Sequence, residues 1–136
     1  MSFIHSIKNF FLKGFDFKTR ASRSEYWYAQ LFLFSMGFLL GLIENLLGLF
    51  PDTPQSVLAN IFTLIILIPS YSVLVRRLHD VGRSGWWILT YLIIIGVILI
   101  LYWTLKRGTV GSNKYGSDPI ENSNSKDTEF TIVDYK

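Results

Sequence analysis

A chain of 136 residues has room for one small domain, and this one is half hydrophobic and 16% aromatic with only 17% charged residues, below the roughly 25% of an ordinary soluble domain. It has no cysteine, which excludes disulfides, thiol catalysis and cysteine-ligated metals. The net charge of +3 in so apolar a chain speaks for membrane orientation and anionic head groups as partners, with no nucleic acid expected.

The charges are unevenly spread. None occurs from Tyr26 to Ile43, from Thr53 to Val75 or from Ser84 to Leu105, stretches of 18, 23 and 22 residues. A spanning helix needs about 20 apolar residues, because roughly 30 Å of hydrocarbon is crossed at 1.5 Å per residue. A water-soluble bundle would carry polar residues on an outer face at every turn, and these are missing. The pattern predicts an all-α fold: an integral membrane three-helix bundle with an N-terminal interfacial amphipathic helix and an unstructured C-terminal tail. The membrane domain is expected over 1–119 and the flexible tail over 120–136.

In chain order, Phe3, Ile7, Phe10, Phe11 and Gly14 fall at helical spacing, with Lys8 and Lys13 elsewhere on the wheel. This predicts a helix over 3–15 that lies in the membrane interface or packs its apolar face on the spans. A basic stretch follows, in which Ser22 and Glu25 have capping-box spacing. Span one is expected over about 26–49, a retained anchor with no small-residue cleavage site before it. Thr53 and Pro54 form a cap and first-turn pair for span two, about 57–75, with a kink at Pro69. A basic turn from Arg76 to Gly85 leads to span three, about 86–105. Trp86 and Trp87 would mark one interface and Tyr102 and Trp103 the other, roughly 25 Å along a helix.

Lys and Arg near span ends set orientation. Five precede span one (Lys8, Lys13, Lys18, Arg20, Arg23), three lie in the second loop (Arg76, Arg77, Arg83) and none in the first. The N-terminus is therefore expected in the cytoplasm. Three crossings then put the tail outside, against the sense of Lys106, Arg107 and Lys114. The alternative is a re-entrant hairpin that turns back at Gly96.

Two clusters are candidate sites. Arg20, Arg23, Arg76, Arg77 and Arg83 should converge at one rim, where their forks suit phosphate or anionic lipid heads. The favoured reading is internal pairing, since Glu25 and Asp80 are available partners, with His79 in the same structural set. The second cluster is Glu44, an intramembrane carboxylate within hydrogen-bonding depth of Asn60. It shares a helix face with Gly37 and Gly41, a G-x-x-x-G that permits close helix approach. Asn60, Thr63 and Ser70 continue a thin polar stripe that reads as an ion or proton path or as a clasp between spans. No nucleophile motif, paired catalytic carboxylates or phosphate-cradling glycine loop is present, and His5 and His79 alone do not make a metal site. No catalytic residue, metal or cofactor is expected.

Three segments carry a resemblance. Phe17 to Tyr28 reads F-K-T-R-A-S-R-S-E-Y-W-Y, Arg76 to Trp87 reads R-R-L-H-D-V-G-R-S-G-W-W, and Gly111 to Pro119 reads G-S-N-K-Y-G-S-D-P. Together they resemble the bacterial inner-membrane family called domain of unknown function 805, the YhaH-like proteins. The resemblance implies a multi-pass protein of a bacterial inner (plasma) membrane and no known reaction. Members often carry a proline where this chain has Ile93, which argues against the hairpin. The expected function is a non-enzymatic scaffold or accessory protein acting through membrane-protein partners, a second copy or anionic lipids. The alternatives are an oligomeric small-solute or ion transporter using Glu44 and the polar stripe, and an enzyme using His79 and Asp80.

Overall fold

The computed structural model of the chain describes residues 2–50, 52 and 56–121, with the backbone alone at 91 and 92. Four α-helices and one 3-10 helix follow in order: α1 (Phe3–Leu12), α2 (Arg23–Leu46), α3 (Val57–Asp80), a 3-10 segment (Gly85–Leu92) and α4 (Ile94–Leu105). The all-α class stands, with two long apolar helices and a shorter one. α2 and α3, 24 residues each, are long and apolar enough to cross a membrane. Only 11% and 22% of their most apolar stretches are buried within the protein, whereas the core helix of a soluble domain would be mostly covered. Their remaining apolar surface suits hydrocarbon.

Both long helices begin at serine caps. Ser22 Oγ accepts from the Glu25 N–H at 3.2 Å, as the capping-box spacing predicts, so α2 starts three residues before the expected Tyr26. Ser56 Oγ accepts from the Ala59 N–H at 3.2 Å and is the cap of α3; the expected pair Thr53 and Pro54 lies outside the described residues. α2 stops at Leu46 because Gly48 takes φ +61°, the left-handed conformation that ends helices. α3 runs unbroken through Pro69 to Asp80. Arg76 to Asp80, expected in a turn, are its last helical residues, and the turn follows at Gly82 with φ +74°.

α1 packs on the spans, one of the two arrangements foreseen for it. Phe3 packs edge-on against Tyr28 and Phe11 against Phe32, while Phe10 is fully buried. Ile4 and Leu12 remain exposed, the face an interfacial helix gives to lipid. After α1 the chain is latched to α3: Ser72 Oγ lies 2.8 and 2.7 Å from the carbonyl oxygens of Lys13 and Asp16. A Cβ on Gly14 would stand 3.1 Å from the Pro69 ring, so α1 ends in close contact with α3.

The third apolar segment departs from expectation. It is not one crossing helix: Ile93 is extended (φ −120°, ψ 133°) between the 3-10 segment and α4, and the two halves fold against each other. Trp87 and Trp103, expected at opposite interfaces, meet edge to face with ring centroids 5.0 Å apart. The turn-back works because position 96 is glycine. A Cβ there would lie 1.8 Å from the Thr90 carbonyl oxygen, so any other residue would force the halves apart. The hairpin foreseen at Gly96 forms without the proline, its bend at Ile93. Residues 106–118, which follow the last apolar segment, pack back on the ends of α3 and α4 as a strap. Most of the expected tail over 120–136 lies outside the described residues.

Candidate functional site: a buried arginine–carboxylate rim

The end of the molecule where α2 begins and α3 ends collects most of its buried charge. Arg20, Glu25, Arg76, Arg77 and Asp80 are each at most 3% exposed, which requires that they satisfy one another. Asp80 is the hub. Its Oδ1 accepts from Arg20 Nε at 3.0 Å and lies 2.9 Å from Arg20 Nη2, and its Oδ2 accepts from Arg77 Nη1. Glu25 Oε1 accepts from Arg76 Nη1 at 2.6 Å, so the capping-box carboxylate bonds across to α3 instead of to its own helix start.

The guanidinium groups also gather backbone carbonyls that would otherwise be orphaned. Arg20 Nη1 donates to the Gly111 and Gly116 oxygens at 2.6 and 3.2 Å, and Nη2 to Thr109 O. Arg77 Nε donates to Thr104 O at 3.2 Å and its Nη2 to Lys106 O, joined by the Trp27 indole N–H on Thr104 O at 3.2 Å. These are the last carbonyls of α4, which lack intrahelical partners and carry the negative end of the helix dipole. The strap is tied to α3 as well: the Thr109 N–H donates to Asp80 O at 2.8 Å, and Asn113 Nδ2 donates to His79 O at 3.0 Å. The Gly108 backbone passes so close that a Cβ there would meet Asp80 Oδ2 at 1.9 Å. The rim thus joins four separate pieces of chain.

Of the five arginines expected at one rim, Arg20, Arg76 and Arg77 are turned inward and buried against Glu25, Asp80 and backbone carbonyls, which is the internal pairing foreseen for them and not an open phosphate rim. Arg23 and Arg83 remain exposed. Arg83 lies 5.1 Å above the Trp103 ring and Arg23 Nη1 reaches Leu105 O only at 3.5 Å. Three guanidinium groups against two carboxylates leave one positive charge over. It falls on the group around Asp80, which faces both Arg20 and Arg77, while Arg76 is paired with Glu25 but its Nε and Nη2 have no hydrogen-bond partner among the described residues. His79, 7% exposed, is stacked on Tyr115 with centroids 3.7 Å apart, and its Nδ1 lies 3.3 Å from Thr19 O. Among the described residues no three His, Asp or Glu side chains converge as metal ligands would.

Asp16 stands beside the rim, in the loop after α1. Partial burial opposes its charge. The Thr19 hydroxyl and the N–H groups of Lys18 and Thr19 outweigh this, with Arg76 adding a favourable field, so the carboxyl titrates below its ordinary value near 3.8.

At the far end of the helix pair, Glu44 is 5% exposed and is bound to the start of α3. It accepts from Ser56 Oγ at 2.6 Å and from the N–H groups of Val57 and Leu58 at 2.9 and 3.0 Å. Asn60, the expected partner, is exposed; the free N–H groups and positive dipole of the helix start attract the carboxylate more strongly. Gly41 faces Ser56 at 3.8 Å, but nothing lies within 4 Å of a Cβ on Gly37. The G-x-x-x-G does not hold α2 and α3 together along its length. Thr63 returns its hydroxyl to Ala59 O at 2.8 Å, so the stripe is partly satisfied within its own helix.

Sequence reasoning missed Ser72, Trp27, Thr109 and Tyr115. The first two looked like ordinary span residues. The other two belong to the strap, where the G-S-N-K-Y-G-S-D-P run was the available signal.

That run, the R-R-L-H-D segment and the Arg20 region, far apart in sequence, meet at one rim. A family described as protein of unknown function (DUF805) matches residues 14–117. The chain belongs to this family. Among its relatives, the inner membrane protein YhaH of Escherichia coli K12 is 38% identical over 104 residues, covering 76% of this chain and 86% of the relative. The inner membrane protein YhaI of the same strain is 38% identical over 109 residues, covering 79% and 89%. YiiR, described as uncharacterized, is 32% identical, with 76% and 86% covered. No solved structure matches the chain. The family match begins at Gly14 and ends at Ser117, so it takes in the rim and all but the last residue of the strap and omits α1.

Proposed function

We propose that this chain is a small multi-pass protein of the bacterial inner membrane, a non-enzymatic scaffold or accessory protein acting through membrane-protein partners, a second copy or anionic lipids. The observation that carries the reading is that the ionisable groups of the rim are spent on one another and on the backbone. Asp80 holds two arginines, and His79 is sandwiched against Tyr115. Groups so engaged build architecture. Glu44, with both oxygens committed to the start of α3, supports the same reading over ion or proton transport. The names of the relatives YhaH and YhaI support the inner membrane as its place.

The orientation that goes with this function has the rim in the cytoplasm. Five Lys and Arg residues up to Arg23, three from Arg76 to Arg83, and Lys106, Arg107 and Lys114 lie at the rim end, and the chain from 47 to 56 carries none. The hairpin removes the conflict that three crossings created.

His79→Phe preserves a flat ring for Tyr115 and removes both ring nitrogens. It should complement a deletion strain fully and retain the proteins and lipids that co-purify with the gently extracted wild type. A folded variant that keeps those associations yet fails to complement would reveal chemistry at His79 and overturn the scaffold reading.

A further inference from the structure

We infer that a groove of about 630 Å³ between α2, α3 and the 3-10 segment is a binding site for one glycerophospholipid, its ester groups held by Gln30, Ser70 and Tyr71 and its phosphate by Arg23. The inference rests on the membrane-embedded reading above and not on the scaffold role.

The groove has an apolar wall formed by Leu74, Ile88 and Leu89, and its polar groups are the Gln30 amide and the Ser70 and Tyr71 hydroxyls. Among the described residues none of these three side chains has a hydrogen-bond partner. In water that would cost nothing. Within a bilayer no solvent is available, and each unmet group costs free energy that a neighbouring molecule must offset. The molecules with access at this depth are lipids. An acyl chain fits the apolar wall but leaves the amide and hydroxyls unmet, whereas a glycerol ester supplies carbonyl acceptors for all three.

The charge on the same stripe agrees. Arg23, Tyr26 and Gln30 follow at i, i+3 and i+7 on α2, so they share a face. Arg23 lies about 10 Å from Gln30 along the axis, a little more than the roughly 5–8 Å of one interfacial layer. Arg23 is exposed, and its one bond, to Leu105 O, is long at 3.5 Å. It is thus a cation free to bind phosphate at the level where phosphates lie. Arg20, Arg76 and Arg77 are closed off, so this site replaces the wider phosphate rim with a single lateral one.

The test is native mass spectrometry of the full chain released from nanodiscs of phosphatidylglycerol and phosphatidylethanolamine. The wild type should retain one phospholipid. Ser70→Trp, which fills the groove, and the triple variant Gln30→Leu/Ser70→Ala/Tyr71→Phe, which removes the polar contacts, should each lower occupancy by about tenfold or more. Arg23→Gln should abolish the preference for phosphatidylglycerol. Unchanged occupancy in a folded Ser70→Trp protein, or displacement of the lipid by inorganic phosphate alone, overturns the site. Should the variants not fold, a phospholipid with a photoreactive acyl chain is cross-linked to the wild type. Labelling concentrated at 70–74 and 88–89 supports the groove, and even labelling along α2 and α3 refutes it. A protein without retained lipid that still co-purifies its partners loses the groove and keeps the scaffold function.

Discussion

Arg76 is the residue under most tension. It is fully buried, holds Glu25 through one nitrogen and leaves two others unmatched. Removing the single counter-charge should therefore be costly: Glu25→Gln is expected to destabilise by about 3–5 kcal/mol, the usual result of stranding a buried charge. The double variant Glu25→Gln/Arg76→Met, which removes both charges, should recover most of that loss. Thermal unfolding of the three proteins in one detergent checks the order. Asp16 gives a pH-dependent counterpart. Its folded-state carboxyl titrates below the ordinary value of 3.8, so it contributes stability above that value and loses it as pH falls through the lower, folded one. Asp16→Asn should therefore be less stable than wild type at neutral pH, with the gap closing below about pH 4. Parallel unfolding curves for the two proteins from pH 7 to pH 3 would contradict this.

At the scale of elements, the hairpin is the part that most depends on one position. Gly96 permits the Thr90 carbonyl to approach where a methyl group would stand 1.8 Å away. Gly96→Ala should open the hairpin, with an overpacking cost of at least about 1–3 kcal/mol. Spin labels at Leu89 and Leu101, both exposed, should report a longer and broader distance in the variant, and an unchanged distribution would mean the turn tolerates a side chain. The long helices depend on no such detail. Their serine caps, apolar length and glycine stop are local signals, which is why α2 and the start of α3 were legible within a few residues. The end of α3 was misread because R-R-L-H-D resembles a solvated basic turn. It is helical because Glu25, Asp80 and the α4 carbonyls satisfy its arginines, and of these only Asp80 is local: Glu25 is 51 residues from Arg76 and Thr104 is 27 from Arg77.

For the whole molecule, the hairpin and strap return the chain to the end where it began. A reporter fused after Pro119 should be active on the cytoplasmic side, like one at the N-terminus, and an external reporter at either point would refute the shared side. Hydropathy along the chain was sufficient for the class, the two long helices and the membrane, because burying about 20 apolar residues in hydrocarbon is a property of each segment alone. The three motifs were enough for the family. Which way the third apolar segment runs was settled only in three dimensions, since a crossing helix and a re-entrant pair have the same composition, and a glycine's close approach to a carbonyl is invisible until the two are packed. The same holds for the arginines: five cations near one interface read alike in sequence, and only the positions of Glu25, Asp80 and the orphaned carbonyls separate three that hold the fold from two that face outward.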